Sequence, residues 1–170
     1  STADMDAGEL AKLVERCVAM AREAPEDPYA GLAPQDLLFK GPVPDLDLDD
    51  GSEADPQALR EAALAVEEAA RAIAGVTNSE GGSASHSRTR FALATSHGFA
   101  GGYGSSGHSV SASVIAGEGA SMQRDYGWHS AHHLADLESI VDIGTRAGTR
   151  AVARLNPGKA PVGKIPVLFD

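Results

Sequence analysis

The hydrophobic pattern of this chain changes period twice, and this restricts the fold more than any other feature of the sequence. Residues 6–24 and 56–74 repeat apolar side chains at helical spacing, which predicts two amphipathic helices. From residue 75 to about 128, apolar residues alternate with serine, glycine and threonine, as is typical of half-buried strands. Residues 133–155 return to the helical period. The order predicts an α+β domain, with an antiparallel sheet of three or more strands and long helices packed on one face.

Local signals mark the ends of several elements. Asp55 is the predicted N-cap of the second helix, and Pro56 is its first residue. Ser96-His97-Gly98 predicts the turn of a hairpin, because Gly98 can supply the positive φ that such a turn needs. Strands flank the glycine-rich stretch 98–107 and no Gly-Lys-Ser/Thr follows it, so we expect a bulged or curved hairpin there and no phosphate loop.

A long stretch without helical or strand periodicity separates the first two helices. Residues 25–54 contain five prolines and the acidic run DLDLDD. A loop of this length in a compact domain is unusual and often serves binding. We expect residues 1–163 to form one domain, and residues 164–170, KIPVLFD, to begin a strand of a further domain.

Charge and cysteine content exclude several classes of protein. A net charge of −10 argues against direct nucleic-acid binding, which needs a basic surface to displace counterions. No apolar run is long enough for a membrane helix and no signal peptide is recognised, so we expect no membrane contact. The single Cys17 cannot form an internal disulfide and predicts a cytoplasmic protein. Its position on the apolar side of the first helix predicts a small core residue and no nucleophile.

The acidic run resembles the beginning of a calcium-binding loop. Its aspartates are Asp45, Asp47, Asp49 and Asp50. An EF-hand that began at Asp45 would need glycine at its sixth position and glutamate at its twelfth, but Asp50 and Pro56 stand there. We therefore predict a solvated loop without a calcium site.

Three of the six histidines fall within GWHSAHH, residues 127–133. On a helix, His129, His132 and His133 would share one face, and two histidines one turn apart are the spacing of zinc peptidases. The required glutamate is missing, because Ser130 follows His129 where HExxH has an acid. Asp136 could act as a further ligand, but it is also an ordinary acid for the first turn of a helix. The sequence favours a surface cluster and leaves these three histidines as weak metal candidates.

The other histidines are spaced by eleven residues. If the hairpin turns at His97, then His86 and His108 face each other across the two strands. Two histidines are half a metal site, and the nearest acids in the sequence are Glu80 and Glu118. We interpret this spacing as coincidence and predict no metal there.

Several segments together resemble the TldD/PmbA family, also called modulators of DNA gyrase, and in particular its PmbA (TldE) branch. The segments are VAMAREAPEDPYAGLA (18–33), GVTNSEGGSASHSRTRFALATSHGFAGGY (75–103), HSVSASVIAGEG (108–119), RDY (124–126) and AVARLNPGK (151–159). The resemblance implies a two-lobed cytoplasmic protein in a TldD–TldE heteromer. It further implies that this heteromer acts as a metallopeptidase on small unfolded or modified peptides, including antibiotic precursors and an antitoxin.

The resemblance also implies where the metal lies. The family's metal ligands are an HExxxH motif and a downstream cysteine of the TldD partner, and no histidine of this chain precedes a glutamate. Within 127–133, only His133 matches the family pattern. We therefore expect a non-catalytic N-terminal lobe with no cofactor of its own, and zinc only in a TldD-like partner. The expected partners are that subunit, the chain's own C-terminal domain and a peptide substrate, which this lobe could capture by adding a strand to a sheet edge.

Two alternatives stay open at this stage, and with them the question of whether the chain is part of an enzyme. The family's second name suggests a regulatory protein that binds DNA gyrase, with the acidic residues 45–55 facing a basic surface. The histidine cluster could instead make the chain an independent metal-binding module.

Overall fold

The computed structural model describes residues 1–159 and 162–169, which form two compact units divided after Lys40. In chain order the elements are α1 (Ala7–Glu23), α2 (Pro56–Arg71), β1 (Val76–Ala94), β2 (Ala100–Ala116), β3 (Gln123–Ala131) and α3 (Ile140–Ala153). Short 3-10 turns cover Gly119–Ser121 and Leu134–Asp136. No helix in the described ranges is both long and apolar enough to cross a membrane.

The first unit contains α1. Asp6 caps this helix, because its carboxylate accepts hydrogen bonds from the amides of Gly8 at 2.8 Å and Glu9 at 3.3 Å. No residue of α1 is buried, and Cys17 is exposed. The predicted core position of Cys17 is therefore wrong. The rest of this unit, residues 24–40, supplies neither a helix nor a strand to cover the apolar side of α1.

The second unit is built on an antiparallel sheet in the order β1-β2-β3, which confirms the predicted α+β class. The hairpin turns where the sequence indicated, with Gly98 at φ 88° and the amide of Thr95 donating to the carbonyl of Phe99. The register shifts lie at the other end of β1, between Val76 and Gly81, and not in the glycine-rich stretch. β3 pairs only with residues 108–116, so the outer half of the hairpin is a two-stranded ribbon.

The core lies between one face of this sheet and two helices. Side chains of β2 alternate, with every second residue from Val110 to Ala116 buried against α2 and α3. The buried apolar residues are Val66, Ala70, Val110, Ala112, Val114, Ala116, Ile143, Ala147 and Ala151. Both helices reach this single cluster, so the prediction of helices packed on one face is also confirmed.

Glycines of α3 allow α2 to lie very close. A Cβ on Gly148 would come within 2.6 Å of both the carbonyl oxygen of Ala70 and Cγ1 of Ile73. A Cβ on Gly144 would lie 2.7 Å from Cβ of Ala69. Real side chains do not approach so closely, so these two positions require glycine if the two helices are to keep their separation.

Several predicted boundaries need correction. Asp55 and Pro56 begin α2 as expected, but the helix ends at Arg71 instead of continuing to residue 74. α3 begins at Ile140 and not at residue 133, because contacts with distant parts of the chain occupy the polar groups of residues 132–134. Residues 164–169 form no strand, and the described sheet consists of β1, β2 and β3 without them. Asp170 lies outside the described residues.

Candidate functional site

Part of the acidic run lies against the sheet. We call residues 45–52 the strap. The carbonyl of Leu48 accepts a hydrogen bond from the amide of Ser106 at 2.8 Å, and the amide of Asp50 donates to the Ser106 hydroxyl at 3.0 Å. The side chains of Asp49 and Asp50 retain only 25% and 12% exposure. The prediction of a solvated loop is therefore wrong for these two aspartates.

Asp50 makes the most contacts in the strap. Its Oδ2 accepts from the amide of Leu134 and from Nε2–H of His108, both at 2.9 Å. Its Oδ1 accepts from the amide of Ser52 at 3.0 Å and from the Ser52 hydroxyl at 2.7 Å. These donors, the Leu134 amide first and the two Ser52 groups next, hold the pKa of Asp50 far below the usual value of 3.8. The carboxylate is thus ionised at neutral pH and joins the strap to β2 and to the segment before α3.

An ion pair joins the strap to β1. Nε and Nη2 of Arg88 donate to one carboxylate oxygen of Asp49, at 3.0 and 2.9 Å. This hydrogen bond, followed by that from the Gly51 amide, lowers the pKa of Asp49. Both partners are partly exposed, so the pair contributes orientation more than stability.

Of two histidines in GWHSAHH, His132 is bonded to Ser106 of β2, beside the strap, and His133 is bonded to the strap itself. Nδ1–H of His132 donates to the carbonyl of Ser106 at 2.7 Å, and the Ser106 hydroxyl donates to the carbonyl of His132 at 2.6 Å. Nε2–H of His133 donates to the carbonyl of Asp47 at 2.7 Å. This bond, more than the nearby negative charges, raises the pKa of His133 above its usual 6.5.

The three histidines do not share a helix face, because the first of them lies in a strand. His129 lies in β3 opposite Val110, and its Nδ1 accepts from the amide of Glu138 at 3.2 Å. His132 and His133 follow the end of the strand, because pairing of β3 with β2 prevails over the helical spacing of the sequence.

The donor set does not fit a family zinc site. In the described part of the chain, no three or more His, Cys, Asp or Glu side chains are grouped so that they could hold a metal. One ring nitrogen of each histidine in GWHSAHH is instead engaged in a hydrogen bond within the protein.

The second histidine pair meets as predicted. His86 lies opposite His108 in the register, with ring centroids 4.8 Å apart. Their polar neighbours are Asp50 and Ser52 of the strap, far away in the sequence, and not Glu80 or Glu118. Sequence reasoning missed both strap residues. The available signal was an acidic run in a chain whose sheet carries two facing histidines.

Asp50, His108 and Ser52 are not arranged as a nucleophilic triad. In such a triad the acid and the hydroxyl contact opposite nitrogens of the imidazole ring. Here both contact Nε2 of His108, at 2.9 Å from Asp50 and 3.3 Å from Ser52. The Ser52 hydroxyl donates to Asp50, whose lowered pKa makes its carboxylate too weak a base to remove the proton. The arrangement anchors the strap and does not activate the serine.

A second buried polar group belongs to β3 and has a structural role. Asp125 is 6% exposed, and Nη1 of Arg154 donates to it at 2.7 Å. Burial raises the pKa of Asp125, but the Arg154 bond, the Tyr126 amide and the charge of Arg150 outweigh this and lower it. The carboxylate thereby links β3 to the end of α3.

Comparison with known proteins adds the family context. A family model described as "PmbA/TldA metallopeptidase central domain" matches residues 49–155. The metalloprotease PmbA of Escherichia coli O157:H7 is 36% identical over 170 residues, which cover 99% of this chain and 38% of that protein. This chain therefore spans little more than a third of that relative, and the predicted boundaries 1–163 and 164–170 stay a prediction.

Solved structures resemble the fold. A protein named as a modulator of DNA gyrase from Bacteroides thetaiotaomicron superposes with a TM-score of 0.81 at 27% identity, over 94% of this chain and 37% of that one. TldE from Thermococcus kodakarensis superposes with a TM-score of 0.60 at 21% identity, over 87% of this chain and 33% of that one. At this lower identity the second likeness concerns the fold alone.

Proposed function

Because this chain belongs to the PmbA/TldD metallopeptidase family, we propose that it forms a non-catalytic lobe of a PmbA/TldE-like subunit, with residues 49–155 as the family's central domain within that lobe. The subunit would act with a metal-carrying TldD-like partner in the cleavage and maturation of peptides. Zinc would be held by that partner and not by this lobe. The proposal includes a cytoplasmic location, which the single free Cys17 supports.

The observation that carries the proposal is how the histidines are used. His132 and His133 donate to backbone carbonyls, and His108 donates to Asp50. A ring nitrogen that donates a proton cannot bind a metal ion at the same time. In the described part of the chain, the histidines are also not grouped with enough His, Cys, Asp or Glu side chains to form a metal site around the opposite nitrogens.

Co-purification tests the proposal. We would immobilise the 170-residue chain and offer a TldD-like subunit that carries HExxxH. Retention of the subunit by the chain, and no stoichiometric zinc in the chain alone, are expected. A His129→Ala/His133→Ala double variant should not change the metal content. Stoichiometric zinc that this variant loses would contradict the non-catalytic role and favour a metal-binding module.

The gyrase-binding alternative is tested with the same immobilised chain, because the name of the Bacteroides protein keeps it open. The variants must spare the docked strap residues. Asp47 is 85% exposed, whereas the carboxylates of Asp49 and Asp50 are bound to the sheet. Asp45→Asn/Asp47→Asn therefore removes acidic charge while keeping the contacts of Asp49 and Asp50 with the sheet. Gyrase binding by the chain that this variant abolishes would support the alternative over the peptidase lobe.

A further inference from the structure

One cavity of the second unit is apolar on most of its wall and polar at one end. We call it the histidine pocket. It has a volume of about 260 Å³ and lies between α2, the β1–β2 hairpin and the segment that precedes α3. Its apolar wall includes Ala58, Leu59, Ala84, Val110, Leu137 and Ile140. Ser52, His86 and His108 form its polar end.

The polar end has one group available to a ligand. His108 is 6% exposed, and its Nε2–H is taken by Asp50. The Ser52 hydroxyl donates to the same carboxylate. The His86 ring has one hydrogen-bond contact among the described residues, from Nε2 to the Ser52 oxygen at 3.5 Å, the long limit for such a bond. His86 can therefore exchange this weak contact for a shorter one to a carbonyl oxygen.

Size and charge restrict what the pocket can hold. An apolar cavity of about 150 Å³ accepts benzene, and pockets for drug-sized ligands begin near 300 Å³. At about 260 Å³, the histidine pocket fits a single large side chain with part of its backbone. Glu53 and Asp55 are among the lining residues, so the negative charge near the pocket disfavours an acidic group.

We propose that the histidine pocket binds one uncharged apolar side chain of a peptide, of leucine or phenylalanine size, with His86 donating to the adjacent peptide carbonyl. This inference rests on the proposed function in taking a peptide as the source of the side chain. It assigns to the lobe a preference for peptides that present such a residue.

Capped amino acids are suitable probes, because they carry one side chain and two peptide groups without charged termini. The full 170-residue chain, with labelled histidine and alanine, would be titrated with N-acetyl-leucinamide and N-acetyl-phenylalaninamide and followed by NMR. Saturable shifts of the His86 ring and the Ala84 amide are expected. N-acetyl-alaninamide should bind roughly tenfold or more weakly, because it buries fewer methyl and methylene groups. The α-amide of N-acetyl-aspartic acid, which keeps a free side-chain carboxylate, should cause no saturable shift.

Variants that fill the cavity provide the decisive control. Ala58→Leu and Ala62→Leu each add carbon atoms at the lining and should weaken binding of N-acetyl-leucinamide at least tenfold. Ala72→Leu adds the same atoms just after α2, outside the lining, and should bind as the unaltered chain does. The indole signal of Trp128, which is not part of the lining, should stay unchanged in every titration.

Three results would overturn the inference. They are no saturable shift up to the solubility limit of either large probe, equal binding of the alanine or aspartate probe, and unchanged binding in both filled variants. None of these measurements uses a partner subunit. A lobe that retains the TldD-like subunit but binds no probe refutes the pocket alone, and the reverse result refutes the proposed function alone.

Discussion

Replacing Gly148 by alanine tests the close contact of α3 with α2. In an open helix this change stabilises the fold by about 1 kcal/mol, because alanine loses less backbone entropy than glycine. Here the new methyl group would lie 2.6 Å from the carbonyl oxygen of Ala70 and 2.6 Å from Cγ1 of Ile73. Overpacking of this kind costs about 1–3 kcal/mol, and the upper half applies because a backbone oxygen cannot rotate away. We therefore expect Gly148→Ala to lower the free energy of unfolding by about 1–2 kcal/mol.

Urea unfolding followed by the fluorescence of the single Trp128 measures this change in the second unit, since Trp128 lies in β3. Thr145→Ala is the matched control, because residue 145 is exposed on the same helix. It should raise the stability by a few tenths of a kcal/mol, from helix propensity alone. If Gly148→Ala is as stable as this control or more so, the close approach of the two helices does not hold in solution.

Further predictions concern the strap and the metal. Asp50→Asn should detach the strap and speed proteolysis within residues 41–52. Asp45→Asn should have little effect, since among the described residues the Asp45 carboxylate accepts only from the nearby Asp47 amide. Because the pKa of Asp50 is lowered on folding, the stabilisation of the strap by its carboxylate is fully present above pH 3.8 and is lost progressively as the pH falls below that value. Hydrogen exchange at the Leu134 amide, which donates to this carboxylate, would detect the loss. The pKa of His133 is raised on folding, so the stabilisation of the strap by the charged ring is complete below pH 6.5 and disappears as the pH rises through the pKa of the folded protein. Hydrogen exchange at the Ser106 amide, which binds the Leu48 carbonyl, should then speed up. A pH-independent rate of strap opening would contradict this. Addition of one equivalent of Zn²⁺ should leave the ring signals of His132 and His133 unchanged in NMR spectra.

Local signals in the sequence were sufficient for most of the fold. The cap at Asp55, the proline at position 56 and the glycine of the hairpin turn each act over a few residues, and all three lie where they were expected. The alternation along β2 also fixed which side chains are buried. The predicted start of the last helix at residue 133 failed, because the helical spacing of the histidines in GWHSAHH is also compatible with a strand that ends within that segment. Only the pairing of β3 with β2 decides between the two, and that pairing is not a local property.

The candidate site could not be predicted because its contacts are remote in sequence. Asp50 and His108 are separated by 58 residues, and the strap carbonyl that binds His133 by 86. Considered alone, an acidic run predicts a solvated loop, and a histidine cluster predicts a polar surface. Considered together they are complementary, because histidine N–H groups need acceptors and the run supplies both carboxylates and extended backbone carbonyls. The resemblance singled out His133, and this ring contacts the strap through the backbone of Asp47, so the contact does not depend on which side chain occupies position 47.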